Sequence, residues 1–306
     1  VLSDEEKSRG IIYGVVAYSF WGLIPAYYKI LSGIDAAEIV AHRALWSAVL
    51  GVLLLVATRR LPDFLRVWRT PRLLGLLFVG GILISSNWLV FLWAVIHNQM
   101  IETSMGYFVN PLFSVMLGVI LLRERLRPGQ IAAIALAAGG VVYMIAMHGT
   151  VPWVSVFLPI TFGLYGFIRR FTAVDALSGI TVETTFMLPF ALGYVIWLLL
   201  RGEGHFGPGA GLNSLYLLVV GPITLLPLTL FGAAARRVRL TTLGVLQYLS
   251  PTFTFLLGLF AYHEHFDRVK LVAFCCIWAS LLIYTLEGVR FSRLGAARIQ
   301  PIPIPE

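Results

Sequence analysis

The chain holds 306 residues, 58% of them hydrophobic and only 12% charged, with a mean hydropathy of +0.85. A soluble domain carries about 25% charged residues, so nothing here is polar enough to coat a water-soluble enzyme of this length. The net charge of +8 does not point to nucleic acid, which needs a contiguous basic face with base-reading or stacking groups; these arginines fall in short clusters between apolar runs.

Ten runs of about 20 apolar residues predict ten membrane helices, near 11–31, 36–58, 73–94, 101–122, 129–147, 152–168, 179–200, 213–234, 242–262 and 269–288. The flanks VLSDEEK and QPIPIPE read as polar or irregular tails. The first run, with Trp21, Gly22 and Pro25, is too long for a signal peptide and has no A-x-A site before the next span. The second carries HRALWS. Its Arg43 lies roughly 12 Å below the predicted outer end at about 1.5 Å per residue, where a guanidinium either clamps a carboxylate in two parallel bonds, snorkels to the interface or pairs with a Glu. Glu38 and His42, one turn apart, either bond each other or leave His42 to handle a proton.

The third run offers Asn87 and Trp88; Asn87 is either a solute contact or glue between helices. The fourth places Tyr107 and Asn110 before Pro111. The short sixth run has Tyr165-Gly166 at an offset of 144 from Trp21-Gly22, and the seventh has Glu183 at an offset of 140 from Arg43. Glu183 suits an ammonium, a proton or a hydrogen bond to Thr184 or Thr185. The eighth contains Pro222 and Pro227, the ninth Gln247, Tyr248, Ser250 and Pro251. A proline removes a helical hydrogen bond and kinks the helix, so Pro25, Pro111, Pro227 and Pro251 are candidate hinges. HEH at 263–265 is spaced too tightly for two imidazoles on one helical face and reads as a cap. The fifth and tenth runs are dense in small residues and read as packing or dimerisation faces rather than solute sites. Cys275 and Cys276 are neighbours, about 100° apart on a helix, and suit core or lipid contact rather than a disulfide or a metal site.

With the N-terminus in the cytoplasm, 18 of the 23 basic residues fall on the cytoplasmic side, among them Arg59, Arg60, Arg123, Arg169 and Arg236. Lys29, Arg201, Arg268 and Lys270 fall outside, and Arg43 alone falls within a span. This is the positive-inside pattern for ten helices with both ends cytoplasmic.

The fourth and ninth runs repeat each other. Pro111 matches Pro251, Phe113 matches Phe253, Gly118 matches Gly258 and Glu124 matches Glu264, all at an offset of 140. Five spans separate the copies, so the second enters the membrane from the opposite side, giving two inverted five-helix repeats over 1–148 and 149–290, followed by a cytoplasmic tail over 291–306. Inverted repeats are a transporter signature, with a central solute site between the halves.

These features resemble a tandem EamA domain of the drug/metabolite transporter superfamily. SFWGLIPAYYKIL at 19–31, EIVAHRALWS at 38–47 and SSNWLVFLWAVIHNQMIETSMGYFVNPL at 85–112 resemble its RarD-type branch. The nearest functional analogy is with YddG-type exporters of aromatic and other amino acids. The resemblance implies proton- or gradient-coupled efflux, or facilitated exchange, through a bacterial-type inner membrane, by a monomer or homodimer acting on a small molecule, with no cofactor; no coupling residue is carried over by motif. No G-x-S-x-G, H-E-x-x-H or P-loop motif argues for an enzyme. The expected binding residues are Trp21, Arg43, Asn87, Trp88, Tyr107, Asn110, Tyr165, Glu183, Gln247 and Tyr248, as aromatic walls with sparse polar contacts for neutral and aromatic amino acids. Other drug-like metabolites, nucleotide sugars or a non-transporting scaffold are the alternatives.

Overall fold

The computed structural model describes residues 3–298 apart from 124–125, 173 and 239; the side chains of 4, 122, 240–241 and 289–298 are not described. Glu124 of the repeat, Arg125 and Arg239 of the basic loops, and the tail beyond Arg298 therefore lie outside the described residues. Those residues are all-helical, without strands. The helices are α1 (Asp4–Ile30), α2 (Ala36–Ala57), α3 (Leu61–Trp68), α4 (Pro71–Ile96), α5 (Met100–Leu122), α6 (Pro128–His148), α7 (Trp153–Arg170), α8 (Ala176–Arg201), α9 (Leu212–Ala235), α10 (Leu240–Leu246), α11 (Leu249–Leu256) and α12 (Arg268–Arg298).

Among the described residues nine stretches are long and apolar enough to cross a membrane, with α10, α11 and the turn after them counting as one. The shorter α7 ends in Arg169 and Arg170 and is not among the nine. Large apolar side chains point outward along the spans, as with Phe190, Phe260 and Leu200, which is 83% exposed. In water that surface would be unfavourable; in lipid it is the solvated one.

Three local features differ from the sequence expectation. The amphipathic α3 was not expected, being too short to register as a span. Helix α12 continues to Arg298, well past the predicted apolar end at 288, because hydropathy reads membrane thickness and not where a helix stops. Pro159 and Pro189 lie inside α7 and α8 in addition to the prolines singled out from sequence.

Helix starts are capped as their sequences dictate. Asp35 accepts the Ala37 amide at 2.8 Å, and Asp175 accepts those of Leu177 and Ser178 at 3.0 and 3.1 Å. Burial pushes the Asp175 carboxyl up, but hydrogen bonds from Ser178 and Leu177 and the Arg60 guanidinium outweigh it and hold it below the usual carboxylate range.

In the second copy of the repeat, the Gly and Glu have a structural use. After α11 the chain forms one π-helical turn, Leu257–Ala261, and the Glu264 amide donates back to the Gly258 carbonyl at 2.9 Å. The buried Glu264 carboxylate thereby meets the first amides of α5, accepting from Met100 at 2.8 Å and Ile101 at 2.9 Å. Gly258 permits this approach, since a Cβ there would lie 3.2 Å from the side chains of both residues. The capping expectation for the HEH stretch is met by Glu264.

The ninth predicted span is broken. α10 ends at Leu246 and α11 begins at Leu249, so the break falls at Gln247 and Tyr248, one turn before Pro251, where proline withdraws its amide donor. By contrast α5 runs continuously through Pro111.

The chain divides into two compact units, one holding the chain up to Asn110 with Trp153–His265, the other Pro111–Pro152 and the chain from Phe266. In the first, α2 packs on α8. α1 packs on α9 as α7 packs on α4, and α2 on α9 as α8 on α4. α1 also lies against α11, where a Cβ on Gly22 would sit 2.6 Å from the Ser250 carbonyl oxygen, and Thr254 donates to the Gly22 carbonyl at 3.2 Å. Gly166, at the matching place in α7, has no described atom within 4 Å of its Cβ position. In the second unit α6 packs on α12, with Gly140 facing Ala273 and Cys276. The small-residue runs thus pack on each other within the chain; Cys275 is exposed and both thiols are free.

Candidate functional site

Arg43 projects from the middle of α2 and is buried, its guanidinium carbon 3.8 Å from the centre of the Trp88 ring on α4, a close cation–π contact. Its Nε has no hydrogen-bond partner, and it forms no ion pair among the described residues. Tyr28 of α1 and Tyr107 of α5 are in electrostatic reach of it. The Tyr28 hydroxyl is sealed from solvent and also has no partner. Arg43 therefore neither snorkels nor pairs with Glu38. That carboxylate instead accepts the His205 amide at 2.7 Å and meets His205 Nδ1 at 2.8 Å. The expected Glu38–His42 bond is not formed: the His42 ring lies against Trp46 and Phe206, with both nitrogens unpartnered.

Asn87, beside Trp88, is fully engaged. Its amide nitrogen donates to the Leu158 carbonyl at 3.0 Å and to Thr161 Oγ1 at 2.9 Å, and its oxygen accepts from the Tyr107 hydroxyl at 3.0 Å. It ties α4, α7 and α5 together. Tyr107 then faces Phe162 at 6.1 Å, and Phe162 faces Tyr165 at 6.2 Å. The Tyr165 hydroxyl donates to Glu183 at 3.0 Å. A continuous series of side chains thus joins Arg43 and Trp88 to Glu183.

Glu183 is wholly buried. Its threonine neighbours do not serve it. Thr184 donates to the Ile180 carbonyl at 2.8 Å and Thr185 to the Thr181 carbonyl at 2.6 Å, the back-bonding habit of threonine in helices. Its nearest cation is Arg169, at 3.7 Å.

Of the other expected site residues, Trp21 packs, like Tyr107, against the buried cluster that includes Tyr28 and Phe91. Trp21 belongs to a ring cluster with Tyr18 at 5.5 Å and Phe231 at 5.9 Å. Tyr248 stacks on Phe108 at 6.5 Å. Gln247 sits in the break between α10 and α11, and Asn110 is half-buried in α5.

Comparison with known proteins decides the family. The EamA-like transporter family model matches residues 8–146. An uncharacterized transporter of Pseudomonas aeruginosa is 43% identical over 93% of this chain and 96% of its own length. Protein RarD of Escherichia coli is 37% identical over 95% of this chain and 99% of its own. The chain belongs to the RarD-type EamA transporters. A solved crystal structure, 20% identical, covers 92% of this chain and 98% of its own with a TM-score of 0.58, which supports the fold alone. Nine candidate spans in this family make a multi-pass protein of the bacterial inner membrane, acting on small molecules within a lipid bilayer.

In this RarD-type transporter, sequence reasoning missed Arg169 and Tyr28. Arg169 was read as a loop charge; the signal available was its place four residues after Tyr165, on the same helical face. Tyr28 stood three residues after Pro25 with nothing to distinguish it from other interface tyrosines.

Proposed function

We propose that this protein exports or facilitates the passage of small amphipathic metabolites, foremost neutral and aromatic amino acids, by alternating access between two inverted five-helix repeats with both termini cytoplasmic. The observation that carries the reading is Arg43, a buried guanidinium stacked on Trp88, its Nε unpartnered, beside the unpartnered Tyr28 hydroxyl. A buried charge without a counter-ion is costly, and a carboxylate of the solute supplies one. The surrounding Trp88, Tyr107 and Phe91 offer apolar walls, and one methylene in such a pocket is worth only about 1–3 kcal/mol, so selectivity among side chains is broad. A single buried arginine suits a zwitterion better than a phosphate.

The reciprocal packing of α1 on α9 and α7 on α4, and of α2 on α9 and α8 on α4, is what two repeats related by a two-fold axis would produce. Interrupted helices around a mid-membrane site accompany that architecture in carriers. The break at Gln247 and the prolines Pro25, Pro111, Pro227 and Pro251 are then the bending points.

The experiment is counterflow in proteoliposomes with phenylalanine, leucine, a drug-like cation and a nucleotide sugar as labelled probes. Accumulation of the amino acids by the parent, lost in Arg43→Ala, supports the reading. Accumulation of only the cation or only the nucleotide sugar, or none, overturns it.

A further inference from the structure

Glu183 is one of the buried charges of the first unit, with Glu38, Arg43 and Glu264, and its surroundings are those of a carboxylate that changes partner. It lies seven residues into α8, about 10 Å from the helix start. One oxygen, Oε2, accepts the Tyr165 hydroxyl at 3.0 Å. The other, Oε1, has no hydrogen-bond partner. Arg169 Nη1 stands 3.7 Å from it and is likewise unpartnered. A fixed structural pair of Arg and carboxylate closes with short, often bidentate bonds; this one is left open on both sides. The Arg169 guanidinium is held instead through Nη2, which donates to the Val174 and Asp175 carbonyls at 3.4 and 3.2 Å. Arg169 thus keeps its position whether or not Glu183 carries charge. The space beside Oε1 is provided by α4, where a Cβ on Gly80 would sit 3.3 Å from that oxygen.

Among the described residues, Tyr165 and Arg169 are the titratable groups in contact with Glu183. α7 presents Tyr165 and Arg169, α4 presents Gly80 and Gly81, and α2 presents Gly51 against Thr181. Phe64 of α3 joins the apolar cluster around Val182, and Arg60 beside it is engaged by Asp175 at 3.1 Å.

We propose that Glu183 is the proton-carrying group of this transporter, binding one proton at Oε1 in exchange for its contact with Arg169. This rests on the transport reading above and names the residue that would carry the proton. A proton from water bonds to Oε1, the carboxylate becomes a neutral carboxyl, and Arg169 keeps its two carbonyl acceptors. Tyr165 donates to Oε2 in both forms. Release reverses the step, the proton leaving to water as the Arg169 contact re-forms. The local charge alternates between zero and +1. The two forms differ in what holds α8 to α7, so they bias the packing of α7, and a bias in packing is what a solute site formed on the same helices reads. The continuity from Glu183 through Tyr165, Phe162 and Tyr107 to Asn87 places the solute side within that packing unit.

The test uses the full-length protein in lipid nanodiscs and follows the infrared carbonyl stretch of protonated carboxyl groups between about pH 5 and about pH 9, a window above the range of solvated carboxylates. The expected result is a band that titrates within the window in the parent and in Glu183→Asp and is missing in Glu183→Gln. A parent without a titrating band, or a band unchanged in Glu183→Gln, overturns the proposal. In proteoliposomes with labelled phenylalanine, an imposed proton gradient should raise accumulation over zero-gradient exchange by about tenfold in the parent and leave that ratio near one in Glu183→Gln. A gradient effect that survives in Glu183→Gln also overturns it. If phenylalanine is not carried at all, the substrate reading fails while the infrared result still decides the proton site.

Discussion

Replacing Glu264 by alanine removes the acceptor for two buried amides at once. The bonds to Met100 and Ile101, at 2.8 and 2.9 Å, are made by an ionised acceptor at a helix start, where each is worth about 1.5–3 kcal/mol and the helix dipole adds about 0.3–1 kcal/mol. Taking the lower end of the range for each of the two bonds gives about 3 kcal/mol in total. A chain this long shifts by about 2 °C per kcal/mol, so Glu264→Ala should lower the midpoint of thermal aggregation in detergent by about 6 °C. Glu264→Gln keeps one acceptor oxygen and loses the charge, and should fall near half of that. The assay is the monomer peak in size-exclusion chromatography after heating across a temperature series. A midpoint for Glu264→Ala within about 1 °C of the parent refutes the idea that the repeated Glu is a helix cap.

Arg43→Lys retains the charge but not the planar face on Trp88, and should lower transport of carboxylate solutes about tenfold, with Arg43→Ala lower still; equal rates in initial-uptake measurements would remove Arg43 from the site. Asn87→Ala breaks three bonds linking α4, α5 and α7 and should destabilise by about 2–3 kcal/mol, read as the same chromatographic midpoint. Asp175→Ala removes the cap of α8 and should cost about 1 kcal/mol. The Asp175 carboxyl is held below its unfolded value, so its contribution is present above that value and is lost as pH falls through the folded one. The parent should therefore lose stability below about pH 4, and Asp175→Asn should flatten that part of the profile.

Spans were the most legible part of the fold because hydropathy reads the one constraint lipid imposes on all of them. α3 escaped because it is short and interrupted by Asp63 and Arg66. The position of the break before Pro251 was legible in outline, since proline fixes which amide is missing, but α5 shows that the same residue type leaves a helix continuous when its neighbours hold it. Side-chain partnership was the least legible. Glu38 had His42 one turn away, yet its partner is His205, 167 positions along the chain. Glu183 had two threonines beside it, yet each prefers its own helix carbonyl. Arg169 was assigned to water by its place at the end of a run, although a long side chain at a helix end can turn back along its own face. Arg43 was legible because a lone arginine deep in an apolar run has few places to go.

The unequal surroundings of Gly22 and Gly166 carry a consequence for how this protein can be trapped. The first is seated against the Ser250 backbone, while the second faces open space. An alanine at Gly166 therefore fits the present arrangement without displacing a neighbour, whereas an alanine at Gly22 cannot be accommodated unless α1 shifts away from α11. Under the alternation proposed above, the first substitution should lock the protein in this arrangement and the second should drive it out, so the two glycines become opposite handles for isolating each conformer for structural work.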